Sequence, residues 1–425
     1  MASTPRQYDL VLLGATGYTG KLTAEWVNRK LPSDIKWAIA GRNAKKLQSV
    51  ADELHQQNPN RPSPAIETVE LEKAQLDTLA RKTRLIITTV GPYMFYGEPV
   101  LAACAENGTH YLDCTGEIPW YYDMLAKYHA TAEKNGAIII PQCGLDSVPA
   151  DIVSYVVSRH IRKTFNLPTA SLTYTLYAYK TGVSGGTSTT ALNIFSNYSL
   201  SHLSKSMNPY SISPVPAPST PTPTPSQSSL LQRLLLLPYV PKLGGLQTTG
   251  LMAAVDACLV HRSWGLYTSQ SATSSYGPNF QFKEYTRSKS LPGAAIFKLT
   301  FALAGLLLAI PPTRWIFAPL LKAFVIPAPG EGPSKESMKG DFMSYRALGV
   351  AEGKKEEVLA KLDFAFGAYE FTGCSLAAAA EVLLTGGVEG SLAGELRGGI
   401  LTPATLGEAY VEKLRAYGVN IEVGV

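Results

Sequence analysis

Between Tyr8 and Pro141 short apolar runs alternate with longer stretches in which apolar residues recur every third or fourth position. That alternation predicts βαβ units, because buried parallel strands read as continuous apolar runs and their crossover helices as amphipathic stretches. Strands are predicted at 8–13, 37–40, 66–70, 85–90, 110–112 and 137–141, with helices at 19–30, 44–55, 75–81, 98–107 and 120–135. Two of the helices run into Asn-Gly, a common stop. Six strands with crossovers make an α/β domain over residues 1–150, a doubly wound parallel sheet of Rossmann type. After Pro149 the pattern changes. Residues 170–179 alternate and are rich in Thr and Tyr, as half-buried antiparallel strands are, so 151–395 is predicted to be a second, α+β domain. In the closing segment 396–425, Thr402 N-caps a helix at 406–417 with Pro403 at its start and Gly418 at its stop. That helix is expected to pack back on the first domain.

Two stretches break the pattern. Residues 207–245 crowd in prolines with Ser and Thr between them, and such a stretch is expected to be a mobile insertion. Residues 294–327 are apolar with few charges, but Pro311-Pro312-Thr313-Arg314 divides them into halves shorter than the about 20 residues a spanning helix needs. A membrane-dipping hairpin, an interfacial helix and a pair of buried core helices are all open readings of this stretch.

Composition sharpens the picture at a few points. Apolar residues make up 45% and charged residues 17%, a greasy balance that fits large buried or lipid-facing surfaces. The net charge of +5 comes from scattered residues with no basic stripe interleaved with aromatics, which argues against a nucleic-acid partner. Cys104, Cys114, Cys143, Cys258 and Cys374 form no CxxC pair and have no histidine at ligand spacing, so reduced thiols and no metal are expected. The polar start before the first strand does not read as a signal peptide, and a cytoplasmic location follows as the expectation.

The chemistry concentrates in the turns after the strands. Gly14-Ala15-Thr16-Gly17-Tyr18-Thr19-Gly20 follows an apolar strand and opens an amphipathic helix, the context a dinucleotide-binding turn requires. Gly14, Thr16, Gly17, Tyr18, Thr19 and Gly20 are therefore candidate pyrophosphate contacts. The second strand ends Ala40-Gly41-Arg42-Asn43, with no acid to bind a ribose 2′-hydroxyl. Arg42, with Asn43 beside it, can instead offer donors to a 2′-phosphate, which favours NADP. The fourth strand leads into Val90, Gly91, Pro92 and Tyr93, candidates for the ribose and nicotinamide, with Tyr93 or Tyr96 facing the substrate and Tyr93 a candidate proton donor. Asp113, Glu117 and Asp146 converge from the next two strand ends. Asp113 is a candidate cofactor contact, while Asp146 is open between a catalytic role and a helix cap. Cys114 lacks an activating neighbour. Small hydroxyl residues at 180–188 follow a predicted strand and read either as an anion or carbonyl cradle or as a turn.

Taken together, Gly14 to Gly20, Ala40-Gly41-Arg42, Val90-Gly91-Pro92-Tyr93, residues 111–117, 144–151 and 184–187, Pro329-Gly330-Glu331-Gly332-Pro333 and residues 399–404 resemble the saccharopine dehydrogenase-like oxidoreductases. Within that family the likeness is to the branch containing the trans-acting enoyl reductases of bacterial lipid synthesis. The resemblance implies a Rossmann domain followed by a sheet-based α+β domain, NADP as cofactor and, for some animal relatives, association with lipid droplets. It does not fix the reaction, since one fold hosts many chemistries. The leading expectation is NADPH-dependent reduction of a C=C or C=O bond in a small apolar substrate of polyketide, isoprenoid or lipid type. A saccharopine-type amino-acid dehydrogenase would need carboxylate-binding arginines, and no such cluster is recognisable. A non-catalytic NADP-binding protein on a lipid surface is the third reading, and a homodimer is compatible with all three.

Overall fold

The computed structural model describes residues 6–182, 185–219, 228–270, 276–324, 332–353 and 356–424. Strands β1 (Tyr8–Leu13), β2 (Trp37–Gly41), β3 (Ala65–Thr68), β4 (Thr83–Thr88), β5 (His110–Asp113) and β6 (Ile138–Ile140) alternate with helices α1 (Tyr18–Lys30), α2 (Ala44–Gln57), α3 (Lys73–Lys82), α4 (Tyr93–Asn107) and α5 (Ile118–Asn135). All pairings in this sheet are parallel. Leu10, Val11, Leu12, Ile39, Ile86 and Ile87 are buried on both faces by the helices, which is why these strands read as apolar runs. The order is β3-β2-β1-β4-β5-β6 with a seventh strand, Gly399–Ile400, added beyond β6 from the far end of the chain. The sequence pattern predicts six strands. The seventh is too short to show a period, and only its pairing with Ile138 and Ile139 defines it.

A second sheet follows α6 (Val148–Phe165). Its strands are β7 (Thr169–Lys180), β8 (Tyr239–Val240), β9 (Gly245–Thr249), β10 (Gln281–Arg287), β11 (Phe342–Ala351) and β12 (Glu357–Phe364), joined by β14 (Asn420–Val423) once Gly399–Ile400 is counted as β13. The order is β14-β12-β11-β7-β10-β9-β8, antiparallel except for β7 with β10. Strand β7 is expected to be half buried, yet its first eight residues are all buried because it is the central strand. Along this sheet α6 lies so close that a Cβ on Gly349 would sit 2.3 Å from Val157 Cγ1. The remaining helices are α7 (Gly185–Asn197), α8 (Leu200–Ser206), α9 (Leu230–Leu234), α10 (Ala253–Gln270), α11 (Leu291–Ala309), α12 (Pro311–Phe324), α13 (Ala368–Leu384), α14 (Leu392–Leu396) and α15 (Gly407–Ala416). The chain end thus serves both sheets: β13 extends the first, β14 edges the second, and Tyr410 of α15 reaches Cys143 and Ser375.

Two expectations are corrected. The proline-rich stretch is not wholly a loose insertion. Ile212 is completely buried, Tyr210 stacks on His261 with ring centroids 4.0 Å apart, and a Cβ on Gly265 would collide with Ser213 and Pro214. Buried Arg262 donates to the carbonyl of Ile212 at 2.5 Å and to that of Ile400, clamping the stretch to the first sheet. Proline limits secondary structure but does not stop a short segment from packing; residues 220–227 lie outside the described ones.

Of the three open readings of the apolar stretch, the pair of buried core helices is excluded by exposure. Helix α11 is 19 residues long, strongly apolar and almost wholly exposed. It is anchored at its base by Ala294, whose carbonyl accepts from Thr248 Oγ1 at 3.0 Å, and exposes Ile296, Leu299, Phe301, Leu303 and Leu306. Trp315 and Ile316 of α12 are exposed as well. Leu230, Leu231 and Leu234 of α9 share this surface, because Lys298 Nζ donates to the carbonyls of Leu235 and Leu236. By length and composition α11 could cross a membrane. At 1.5 Å per residue it spans about 28 Å.

Candidate functional site

The glycine turn has the geometry its spacing predicts. Gly14 sits at φ +89°, where a side chain is strained, and a Cβ there would lie 2.8 Å from Val90 Cγ2. At Gly20 a Cβ would lie 2.1 Å from the Gly14 carbonyl oxygen, so this glycine lets α1 lie against the end of β1. Gly17 differs from both. It has an ordinary φ of −76°, and the Gly14 oxygen at 3.4 Å is the one atom within 4 Å of its added Cβ. Its freedom is therefore not needed for packing but leaves room in front of the helix. Gly17 stands at the N-cap of α1 without a side-chain cap, and the first turn carries no acid. An uncapped N-terminus with free amides and a positive end is a ready anion site. At the end of β2, Arg42, Lys45 and Lys46 are exposed, and Asn43 caps α2 by accepting from the Lys46 amide at 3.0 Å. The chain's own residues fit a dinucleotide: amides for a pyrophosphate, and a guanidinium without a competing carboxylate for a 2′-phosphate.

The ends of β4 and β5 are tied together internally. Helix α4 starts at Tyr93, and buried Glu117 accepts from the Tyr93 amide at 2.9 Å and the Met94 amide at 2.6 Å, an anion at a helix N-terminus. Burial raises the Glu117 pKa from its ordinary value. Fully buried Asp113 accepts from the amides of Thr115 and Gln142, each at 2.9 Å, and from Tyr111 Oη at 2.7 Å. Burial pushes its carboxyl up to about 7 against these hydrogen bonds.

A match to the saccharopine dehydrogenase NADP-binding domain covers residues 10–140, the first sheet almost entirely. Over 439 residues the chain is 31% identical to a trans-acting enoyl reductase of Mycobacterium leprae, covering 99% of both chains. A trans-acting enoyl reductase of Mycobacterium tuberculosis is 30% identical over 437 residues, covering 99% of this chain and 98% of that one. The chain belongs to the saccharopine dehydrogenase-like oxidoreductases. A mouse saccharopine dehydrogenase-like oxidoreductase matches over a shorter reach, 41% identical across 162 residues, 36% of this chain and 38% of that protein.

In this family member the nicotinamide dinucleotide is an NAD(P) cofactor, and several residues predicted to meet it do other work. Tyr93 is corrected: its phenol is buried, donates to the Thr88 carbonyl at 3.0 Å and accepts from the Cys114 amide at 3.3 Å. Burial holds its pKa well above 10, so it is a poor proton donor and faces the protein, not the crevice. Tyr96, the alternative, is exposed. Asp113 is corrected in the same way, since its carboxylate oxygens are enclosed and shared among protein donors. Tyr18 turns its ring from the turn towards Tyr369, 5.3 Å away, and donates to the Pro333 carbonyl at 2.8 Å. Only its backbone stays in the glycine turn. Gly332 and Pro333 thus close over the turn from the second domain, while Pro329, Gly330 and Glu331 lie outside the described residues. Thr16 and Thr19 are partly exposed on the turn, Val90 Cγ2 stands against Gly14, and the Gly91-Pro92 peptide that follows is cis. Of the 180–188 run, Val183 and Ser184 lie outside the described residues; Thr181 accepts from the Ala368 amide at 3.1 Å.

Asp146 is not the helix cap, because Ser147 holds the N-cap position of α6. Its carboxyl stands 3.2 Å from where a Cβ on Gly116 would be, with Met252 Cε 3.8 Å from the same point, and burial pushes it up to about 6. Met252 leads to residues that sequence reasoning missed. Glu284 of β10 accepts from the Met252 amide at 3.3 Å, and beside it lies buried Asp256 of α10. An acid inside a strand and another inside an apolar helix were the available signals, but only the fold brings them together at the strand ends of the first domain.

Proposed function

We propose that this oxidoreductase uses NADPH to reduce an enoyl C=C bond, or alternatively a C=O bond, of an apolar polyketide, isoprenoid or lipid-type intermediate, taken up at a lipid surface. The observation that carries the reading is Arg42: an exposed guanidinium just after β2, in no ion pair among the described residues, on the strand beside the one that opens into the uncapped N-terminus of α1. The enoyl substrate class is supported by the full-length relatives named trans-acting enoyl reductases. The apolar class and the lipid surface are supported by the large apolar side chains that α9, α11 and α12 leave exposed together. The bound cofactor supplies the hydride. The chain's part is to hold the pyrophosphate at Gly17 to Gly20, set the 2′-phosphate against Arg42 and present the strand ends of β4 to β6 to the substrate. Buried Arg61 and Arg262 are spent on backbone carbonyls, which leaves them unavailable to bind an amino acid's carboxylates.

The test is NADPH oxidation across enoyl thioesters and the matching carbonyl compounds, with wild type and Arg42→Ala. Turnover with an enoyl thioester, and a loss of NADPH affinity in Arg42→Ala about tenfold larger than its loss of NADH affinity, are expected, a charge-assisted hydrogen bond being worth roughly 1.5–3 kcal/mol. Equal losses for both nucleotides would remove the phosphate argument, and no oxidation with any of the panel would remove the reaction.

A further inference from the structure

A cleft of about 370 Å³ lies away from the strand ends that face the cofactor. It is bounded by the C-terminal half of α6, by Tyr267 of α10 with Tyr276 beyond it, and by the chain end from Gly390 to Glu408. Ser158, on its wall, is ten residues past Val148 at the start of α6, about 15 Å along the helix from the crevice end. We propose that this cleft is a second binding site, for a small hydroxylated organic anion whose acidic group is a phosphate or a carboxylate.

The wall holds hydroxyls that the fold leaves unused. Tyr276 is 2% exposed and Ser158 3%, and neither Tyr276 Oη nor Ser158 Oγ has a hydrogen-bond partner among the described residues. A buried hydroxyl without a partner weakens the folded state, so two of them lining one cleft call for a ligand that meets them. Tyr155 adds a third: its Oη accepts from Arg159 Nη1 at 2.9 Å, and its own proton has no acceptor among the described residues. Burial raises the pKa of both phenols, so each stays a protonated donor. Arg159 reaches Tyr155 and Glu408, the latter at 2.6 Å, through Nη1 alone, and its Nη2 and Nε have no partner among the described residues. Donors gathered in this way suit the oxygens of an acidic group.

Two carboxylates border the cleft without cancelling that preference. Glu408 is shared with Arg415, whose Nη1 stands 3.5 Å from it. Exposed Glu395 is in no ion pair among the described residues and can accept from a ligand hydroxyl. The rings of Tyr155, Tyr267 and Tyr276 follow one another with centroids 5.9 and 5.6 Å apart, an apolar wall for the organic body. Glycine keeps the space open: Gly407 sits at φ +68°, and a Cβ there would stand 3.6 Å from Tyr155 Oη. A ligand in the cleft touches α6, α10 and the chain end at once. The same three meet at Asp151, whose carboxylate accepts from Ser263 Oγ at 2.5 Å and from the Ala404 amide at 2.8 Å. Binding should therefore stabilise the joint between the two sheets.

Calorimetry and thermal unfolding of the full chain with glycerol 3-phosphate, glycerate and inorganic phosphate test the site. One of the two organic probes is expected to bind with a Kd of about 1 mM or tighter and to raise the melting temperature, and the tighter of them names the acidic group. Tyr276→Phe and Ser158→Ala each remove a hydroxyl that has no partner, so without ligand both should melt no lower than wild type, yet bind the probe about tenfold more weakly. Arg159→Gln should weaken it further. If neither organic probe binds, the cleft holds only water and the proposal is overturned. Binding that survives all three substitutions would put the anion elsewhere, at the glycine turn for example, and overturn the site. Inorganic phosphate held as tightly as the organic probes would overturn the organic ligand, and a lower melting temperature in Tyr276→Phe or Ser158→Ala without ligand would overturn the premise that these hydroxyls are unused. None of these readouts involves NADPH or turnover, so the site is judged apart from the reductase reading.

Discussion

Gly17 and Gly20 look alike in the sequence and should behave oppositely when each is replaced by alanine. At Gly20 the new methyl would stand 2.1 Å from the Gly14 carbonyl oxygen and 2.8 Å from its carbon, both backbone atoms that no side-chain movement can clear. Helix α1 would have to retreat from β1 by roughly 1 Å to restore contact distance, an overpacking cost at the upper end of about 1–3 kcal/mol. Alanine returns up to about 1 kcal/mol in helix propensity, leaving a net loss near 2 kcal/mol and a fall in melting temperature of roughly 4–8 °C. At Gly17 the contact is 3.4 Å at an ordinary φ, so Gly17→Ala should unfold with wild type to within about 0.5 kcal/mol. Its methyl would occupy the space in front of the amides. Losing one charge-assisted hydrogen bond to the pyrophosphate there costs about 1.5–3 kcal/mol, or roughly 10- to 150-fold in Kd. Thermal unfolding and titration calorimetry with NADPH measure the two effects separately. Wild-type NADPH affinity in Gly17→Ala would place the pyrophosphate elsewhere, and a wild-type melting temperature in Gly20→Ala would refute the packing argument.

Tyr93→Phe removes a donor to the Thr88 carbonyl and an acceptor for the Cys114 amide, so urea unfolding should show a loss of about 1–3 kcal/mol while kcat stays within a few-fold of wild type; a loss of turnover by orders of magnitude would restore Tyr93 as proton donor. Asp151, pushed up from 3.8 to about 7 by burial, binds its proton more tightly folded than unfolded, so its contribution to stability is present at low pH and is lost as pH rises between about 4 and 7. The melting temperature of wild type relative to Asp151→Asn should therefore grow as pH falls from 8 to 5, and a flat difference would contradict the raised pKa. Replacing exposed Leu299, Leu303 and Leu306 together by glutamate should leave the fold intact and abolish co-flotation with phosphatidylcholine vesicles containing anionic lipid. Wild type that does not float with such vesicles would sink the lipid-surface proposal.

What the sequence determined by itself was everything set by short-range periodicity. The strands from Tyr8 to Ile140 and their crossover helices were legible because a strand buried on both faces must be apolar and its covering helix amphipathic. The glycine turn was legible because its glycines answer to backbone geometry within a few residues, and Arg42 because its place is counted from a strand end. Tertiary structure alone decided which way side chains point once the backbone is placed. Tyr93 and Asp113 sit at the predicted strand ends, but Glu117, Thr88, Thr115 and Gln142 satisfy them from within, and those partners come from separate elements. The exposure of α11 was equally hidden, since an apolar helix reads the same whether a core or a lipid surface covers it. Asp256 and Glu284 lay furthest from view: two acids 28 positions apart come near each other only because α10 packs against β10, and a single acid in a helix or a strand leaves no period in the chain.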